Sequence, residues 1–553
     1  MNIKYLYASL VAVLFAATTY GEIRLANCLG NGMVLQRGVE LTIWGFGTAG
    51  ETVEASFVKT ETATALPVPT KGKIKSSTKF TAVADTTGQW QITLPALKYG
   101  GPYALKINNL IVDDILIGDV LLCSGQSNME LPVARVTDMF ADEIASYENT
   151  RIRQIIIPKE YNFAAPQSDI KPAEWKPLTQ ADVMQFSALA YFTAKALYAK
   201  TGIPVGIVNA SWGGTPVEAW IDEEHLVDFP KYINEKRIYE DDDYRRNVKQ
   251  LEGQAFHRWN VALYRGDAGL HEATPWFSAE YDDSEWTEVD MFSSSWATDG
   301  LNPCGGSHWL RQHVNVSAEC AGQPAVLRMG CIVDSDSLYV NGTFVGSTGY
   351  QYPPRIYRLP EGLLHEGDNI ITARIVSNGG KPEFIREKPY KIVFRDTEIQ
   401  LSTKWLYRRG APMPSAPSMM FFCYKPVCLY NTIIAPIAKM RFGNVVWYQG
   451  ESNIDRYNEY AALLTTMIAN WRETFDNQSL PFFIVELADF LAQDDPEREN
   501  WAQLRKAQAD AASQTDNATL IKNSDLGEWN DIHPLDKKTL GERVAEAILS
   551  NGK

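Results

Sequence analysis

The sequence lacks any excess of basic residues. Its 553 residues carry 52 Lys and Arg against 67 Asp and Glu, a formal charge of −15, so there is no basic field to draw in nucleic acid or anionic headgroups. Cysteine is sparse too. The seven (Cys28, Cys123, Cys304, Cys320, Cys331, Cys423 and Cys428) are odd in number and scattered, and without a C-x-x-C pair or Cys/His ligand spacing they build neither a disulfide framework nor a zinc site. Cys423 and Cys428 lie close enough to pair locally, but buried free thiols are the commoner outcome. There is no H-E-x-x-H, and residues 333–342 (VDSDSLYVNG) fail as a calcium loop because Leu338 stands where an oxygen ligand is required. No metal and no organic cofactor is expected. Long apolar runs are missing as well: residues 5–17 fall short of the ~20 residues of a membrane span, and no other segment comes close. With Lys4 before this stretch and small residues up to Gly21, residues 1–21 are expected to be a signal peptide, and the mature protein to be secreted or periplasmic. No cysteine sits at the expected cleavage point to carry a lipid anchor.

What is present is ordinary globular material, 45% hydrophobic and 22% charged, with 38 Gly and 28 Pro spread along the chain. At about 100–200 residues per domain, the length suggests three or four domains. Fifteen Trp and twenty-five Tyr make sugar-stacking surfaces conceivable, although residue by residue such side chains are mostly core.

Residues 22–112 show short period-two runs (ELTIWGF, TVEASFV, QWQITLPAL) broken by Gly, Thr and Pro, the pattern of an antiparallel β-sandwich. Gly45, Gly47 and Gly50 satisfy G-x-G-x-x-G, but an alternating strand follows instead of a helix, which argues against dinucleotide binding. From residue 113 buried apolar strands alternate with helical segments (DILIGDVLLC, RQIIIP, VGIVNAS), the signature of a parallel sheet. Over residues 256–392 β grammar returns, and over 393–553 the α/β pattern resumes with GNVVWY, PFFIVEL and ATLIKN. The expected architecture is therefore α/β: a doubly wound parallel sheet split into residues 113–255 and 393–553, with an N-terminal and an inserted β-sandwich.

Chemistry concentrates at the ends of the α/β strands. LLCSGQSNM puts Ser127 in a glycine-containing turn just past a buried strand, where such sheets present a nucleophile. It is not G-x-S-x-G, because Met129 replaces the second glycine. A serine needs a base, and among seven histidines His533 stands out, in a loop between ATLIKN and the last helix. Asp531, two residues earlier, is suited to holding the imidazole tautomer. Gly213 and Gly214 in NASWGGTPVEAW, and the Gln449 amide and Asn453 in WYQGESN, are candidate donors for an oxyanion.

Together GQSNM, SWGGTPVEAW, WYQGESN and DIHP resemble the sialate O-acetylesterase family of the SGNH-hydrolase superfamily, carbohydrate esterases that remove acetyl groups from sugar hydroxyls. The likeness runs through NGMVLQR, WGFGTAGE, GGPYAL and IGDVLLCSGQSNME and covers nearly the whole chain, while YDDSEW, WLRQHVNV and YVNGTFVG resemble an inserted galactose-binding-like sandwich. The resemblance implies an SGNH-type fold, Ser127 as nucleophile and His533 as base. It also implies an oxyanion hole from the Ser127 N–H, Gly213 or Gly214 and Gln449, with Asn128, Asn453 and Glu451 as substrate contacts. The superfamily spacing is Asp-x-x-His, but Asn530 holds that position here. The third member is then Asp531, or Glu451 or another carboxylate, or the enzyme is a dyad supported by a carbonyl. The implied substrate is an O-acetylated sugar, sialic acid first and acetylated xylan or another polysaccharide as the alternative. Arg135 and Arg456 are the arginines in view for an anionic sugar, and a non-catalytic glycan-binding protein is the alternative from a different class.

Overall fold

Among the described residues, seven strands of an eleven-stranded sheet form the path that carries the motifs: β1 (Leu110–Gly125), β2 (Asn149–Ile156), β3 (Trp175–Leu178), β4 (Val205–Ser211), β5 (Asn444–Tyr448), β6 (Phe482–Val485) and β7 (Ala518–Ile521). Their spatial order in this computed structural model is β3-β2-β4-β1-β5-β6-β7, parallel throughout except for β3 at the edge. The structure describes residues 22–59, 78–293, 296 and 304–551, so the leader expected at residues 1–21 lies outside the described residues. Helices α1 (Ala188–Thr201), α2 (Tyr457–Thr474), α3 (Arg498–Gln514) and α4 (Lys537–Asn551) cover the sheet, α1 packed on α4 and α2 on α3. Covered on both faces, the central strands read as unbroken apolar runs: every residue of β4 and β6 is buried.

β1 explains how the N-terminal sandwich joins this sheet. Its first half pairs antiparallel with the strand Gly100–Ile107, and its second half runs parallel between β4 and β5. The expected boundary after residue 112 falls inside this one strand, and the buried residues of sandwich and sheet, Trp44 and Trp90 through Trp447 and Trp471, form one continuous cluster. Gly45, Gly47 and Gly50 lead from the strand Leu41–Phe46 directly into Thr52–Lys59 with no helix between, which removes the dinucleotide motif.

The inserted unit has its own core, built on Leu310, Leu327, Leu338, Ile371 and Trp405 between a six-stranded and a four-stranded sheet. It reaches beyond the expected end at residue 392, because Lys404–Pro412 pairs with the long strand Gly306–Val316. Its entry differs too. A 25-residue helix, Asp242–Gly266, runs across residues 255–256, capped by the Asp241 carboxylate and burying only Trp259 and Leu263, too few apolar positions to announce itself in the sequence. All seven cysteines are free, Cys423 and Cys428 included. Among the described residues no helix is long and apolar enough to cross a membrane.

Candidate active site

β1 and β5 are neighbours in space although far apart in the chain, and the connections turn opposite ways on leaving them. Their carboxyl ends thus form the crevice where open α/β sheets assemble sites. Gly125 lies opposite Tyr448 with φ +133°, and a Cβ there would come 2.1 Å from the Tyr448 carbonyl oxygen, so only glycine lets the chain leave the strand this way. The Gln126 N–H then donates to Tyr448 O (3.0 Å), and Ser127 opens the single helical turn Ser127–Glu130. The turn is anchored from behind: the Ser187 hydroxyl caps α1 by accepting from the Ala190 N–H and donates to Met129 O (2.6 Å). From the opposite direction the loop between β7 and α4 brings in His533, whose Nε2 lies 2.8 Å from Ser127 Oγ. The two residues stand 406 positions apart in the chain.

His533 is 7% exposed. Burial, followed by the cations of Lys537 and Arg135, pulls its pKa down to about 3, so the imidazole is neutral at pH 7 and fit to accept a proton. With Nε2 accepting from the serine hydroxyl, the ring proton is assigned to Nδ1, a buried atom with no hydrogen-bond partner. Asp531 does not reach it. One Asp531 oxygen accepts the backbone N–H of His533 (2.9 Å) and the other accepts from Lys388 Nζ (3.1 Å), so the carboxylate fixes the loop and leaves the ring alone. This corrects the expectation of Asp531 as tautomer holder: the two-residue spacing turns its carboxylate to the backbone and to Lys388. Asn530, at the usual triad spacing, donates its amide to Arg386 O. Replacing Asp531 by Asn should lower the unfolding temperature while reducing kcat by less than about tenfold, against about 10⁴ for a carboxylate bonded to the imidazole. A kcat loss of the larger size, measured beside the melting curve, refutes this assignment.

The expected donors divide. Gly214 (φ +77°) lines the cavity beside Ser127, and a Cβ there would meet the Tyr424 hydroxyl at 2.1 Å. Gly213 also lines it, but its N–H is taken by Glu130 Oε2 (2.6 Å), which corrects the expectation of a free donor there. Gln449 and Asn453 need correction as well. Both are fully buried and neither lines the cavity. The Gln449 amide donates to Asn453 Oδ1, Thr215 O and Gln126 Oε1, and its carbonyl accepts from Tyr460. Asn453 in turn accepts from the Val217 N–H and donates to Glu218. They form the scaffold under the site. Asn128 is likewise turned inward, donating to Glu451 Oε1 (2.6 Å) and Ile532 O (2.9 Å) and accepting from the buried ammonium of Lys537 (2.7 Å). Glu451 does line the cavity. Burial pushes its carboxyl up, and its Oε2 is the second buried cavity atom without a partner.

Ser127 and His533 open onto a cavity of about 600 Å³, within the size range of small-molecule sites. Gln126, inside GQSNM but given no role from the sequence, lines it with its Oε1 held by Gln449 Nε2 and the Gly450 and Ser452 N–H groups. The aromatic rim carries no sequence signal: Tyr350 and Tyr352 come from the inserted sandwich, Phe421 and Tyr424 from the segment that returns from it. Tyr352 meets the His533 ring edge-on, centroids 5.3 Å apart. The insert also grips the histidine loop from outside. Trp529 donates to Glu387, Asn530 to Arg386 O, and Lys388 to both Glu528 (2.9 Å) and Asp531. Lys388→Met strands two partly buried carboxylates and should cost about 1–3 kcal/mol of stability; an unchanged denaturation midpoint speaks against the clamp.

Residues 424–550 match the family model described as carbohydrate esterase, sialic acid-specific acetylesterase. The chain is 32% identical to the sialate O-acetylesterases of Rattus norvegicus, over 37% of this chain, and of Homo sapiens, over 36%. It spans 38% of the length of either relative. In three dimensions it resembles a carbohydrate acetylesterase from Xanthomonas citri with a TM-score of 0.54 and 23% identity, covering 96% of this chain and 76% of that one, a likeness of fold. The likeness to sialate O-acetylesterases is thus one of part of the chain: the family model covers its C-terminal segment, residues 424–550, and the curated relatives match about a third of its length.

Proposed function

We propose that the protein is a serine esterase that removes O-acetyl groups from sugars, with a 9-O-acetylated sialic acid as the first substrate to test. The observation that carries this is the 2.8 Å contact between Ser127 Oγ and the neutral, buried imidazole of His533 at the floor of an aromatic-rimmed cavity. His533 Nε2 takes the serine proton as Oγ attacks the acetyl carbonyl. The negative charge gathers on the carbonyl oxygen, beside the Ser127 and Gly214 N–H groups. The imidazolium then hands its proton to the departing sugar oxygen, leaving acetyl-Ser127. Water, deprotonated by the same nitrogen, attacks the acetyl group, and acetate leaves as the proton returns to the serine. Burial on this scale disfavours a lasting imidazolium, so the proton is passed on within each half-reaction.

The test is acetate release by the purified protein on 9-O-acetylated sialic acid and on acetylated xylan side by side. Turnover of the sialic acid in preference supports the proposal. Preference for xylan keeps the serine chemistry and changes the substrate, and no acetate from either sinks the esterase assignment in favour of glycan binding alone.

A further inference from the structure

Building on the esterase proposal, we infer that Arg135 is the specificity-determining residue of the cavity, receiving a carboxylate on the substrate sugar and so selecting acidic acetylated sugars over neutral ones. Among the described residues that line the cavity with Ser127 and His533, Arg135 is the one lysine or arginine. Its guanidinium is under-used. Nη2 donates to the Tyr352 carbonyl of the inserted sandwich (3.2 Å), while Nε is buried with no hydrogen-bond partner. A buried guanidinium N–H left unmet costs free energy that a bound anion recovers, and the planar fork suits a carboxylate better than a hydroxyl.

The acidic residues of the same cavity do not compete for it. Glu130 is paired with Lys159 and accepts the Gly213 N–H. Glu451 has one oxygen on Asn128, and burial favours its neutral form. Asp138, the acid nearest in sequence, is paired with Arg328 of the insert. Arg456, the other arginine in view, is held by Glu218 (2.7 Å) and does not line the cavity. The aromatic rim then supplies apolar sugar contact, and Arg135 supplies the charge that tells one sugar from another.

The experiment compares kcat/KM for acetate release from 9-O-acetylated sialic acid with that from its methyl ester, in which the sugar carboxylate is uncharged. It uses the wild-type protein, Arg135→Gln and Arg135→Lys, with p-nitrophenyl acetate as an independent substrate. The wild-type ratio of free acid to methyl ester is expected to be about 10–100, the worth of one charge-assisted pair. It should fall to about 1 in Arg135→Gln and be partly kept in Arg135→Lys. Because each variant is its own control, a general loss of folded or active protein leaves the ratio unmoved. A wild-type ratio near 1, or a ratio that survives Arg135→Gln, overturns the inference and leaves the esterase standing. No turnover of any substrate, p-nitrophenyl acetate included, overturns the esterase proposal and this inference with it.

Discussion

Ser127→Ala should abolish acetate release, lowering kcat by on the order of 10⁴-fold or more, because without Oγ no acetyl-enzyme can form and only the donors and the binding cavity remain to assist water. The fold should survive. The described contact of Oγ is with His533 Nε2, at a cavity open to water, while the turn itself is held by backbone bonds and by Ser187 on Met129 O. The check is acetate release together with the melting curve. Retained turnover in a folded variant removes the serine mechanism altogether.

The second large effect falls on His533. His533→Gln leaves a group that can accept a hydrogen bond but cannot take the proton at pH 7, and kcat should drop by about 10³–10⁴-fold. The wild-type pH profile carries the same argument further. An imidazole at its ordinary pKa near 6.5 is roughly 97% protonated at pH 5. His533, lowered to about 3 by burial and by Lys537 and Arg135, stays neutral there. We expect kcat/KM to hold within about twofold from pH 7 to pH 5. An acid limb centred near pH 6.5 refutes the depressed pKa. The linkage sign follows: the folded pKa lies below the unfolded one, so this group's contribution to stability is complete above about 6.5 and is lost as the pH falls from there toward 3. His533→Gln removes that part of the acid sensitivity.

The inserted sandwich ties both results to the rest of the molecule. Its residues Arg386, Glu387 and Lys388 hold the loop that carries His533, its Tyr352 rests against the imidazole, and the Tyr352 carbonyl holds Arg135. The insert thus both braces the histidine loop and lines the cavity.

Much of the architecture was legible before any coordinates. The parallel strands announce themselves because burial on both faces forces unbroken apolar runs such as VGIVNAS and FFIV, and the sandwiches because one buried face forces alternation. The helix Asp242–Gly266 was not legible, since a mostly solvated helix leaves few apolar marks. Ser127 and His533, which the structure brings within 2.8 Å, were singled out by position and scarcity: a serine just past a strand end, and one histidine of seven at another.

Direction is where the sequence stops. It determined which residues arrive at the carboxyl edge of the sheet, because strand periodicity and chain order settle that locally. It could not determine where their side chains point. Gln449 and Asn453 sit at a strand end yet turn inward, because Tyr460 and Glu218, from other parts of the chain, offer their amides better partners than an open cavity does. Asp531 turns from the imidazole because a lysine from the inserted unit claims its carboxylate. Arg135 belongs to no motif, and its unmet guanidinium becomes visible only once Ser127, the rim tyrosines and the insert are brought to one cavity. Hydrogen-bond partners and burial are properties of the assembled molecule, so those assignments waited on tertiary structure.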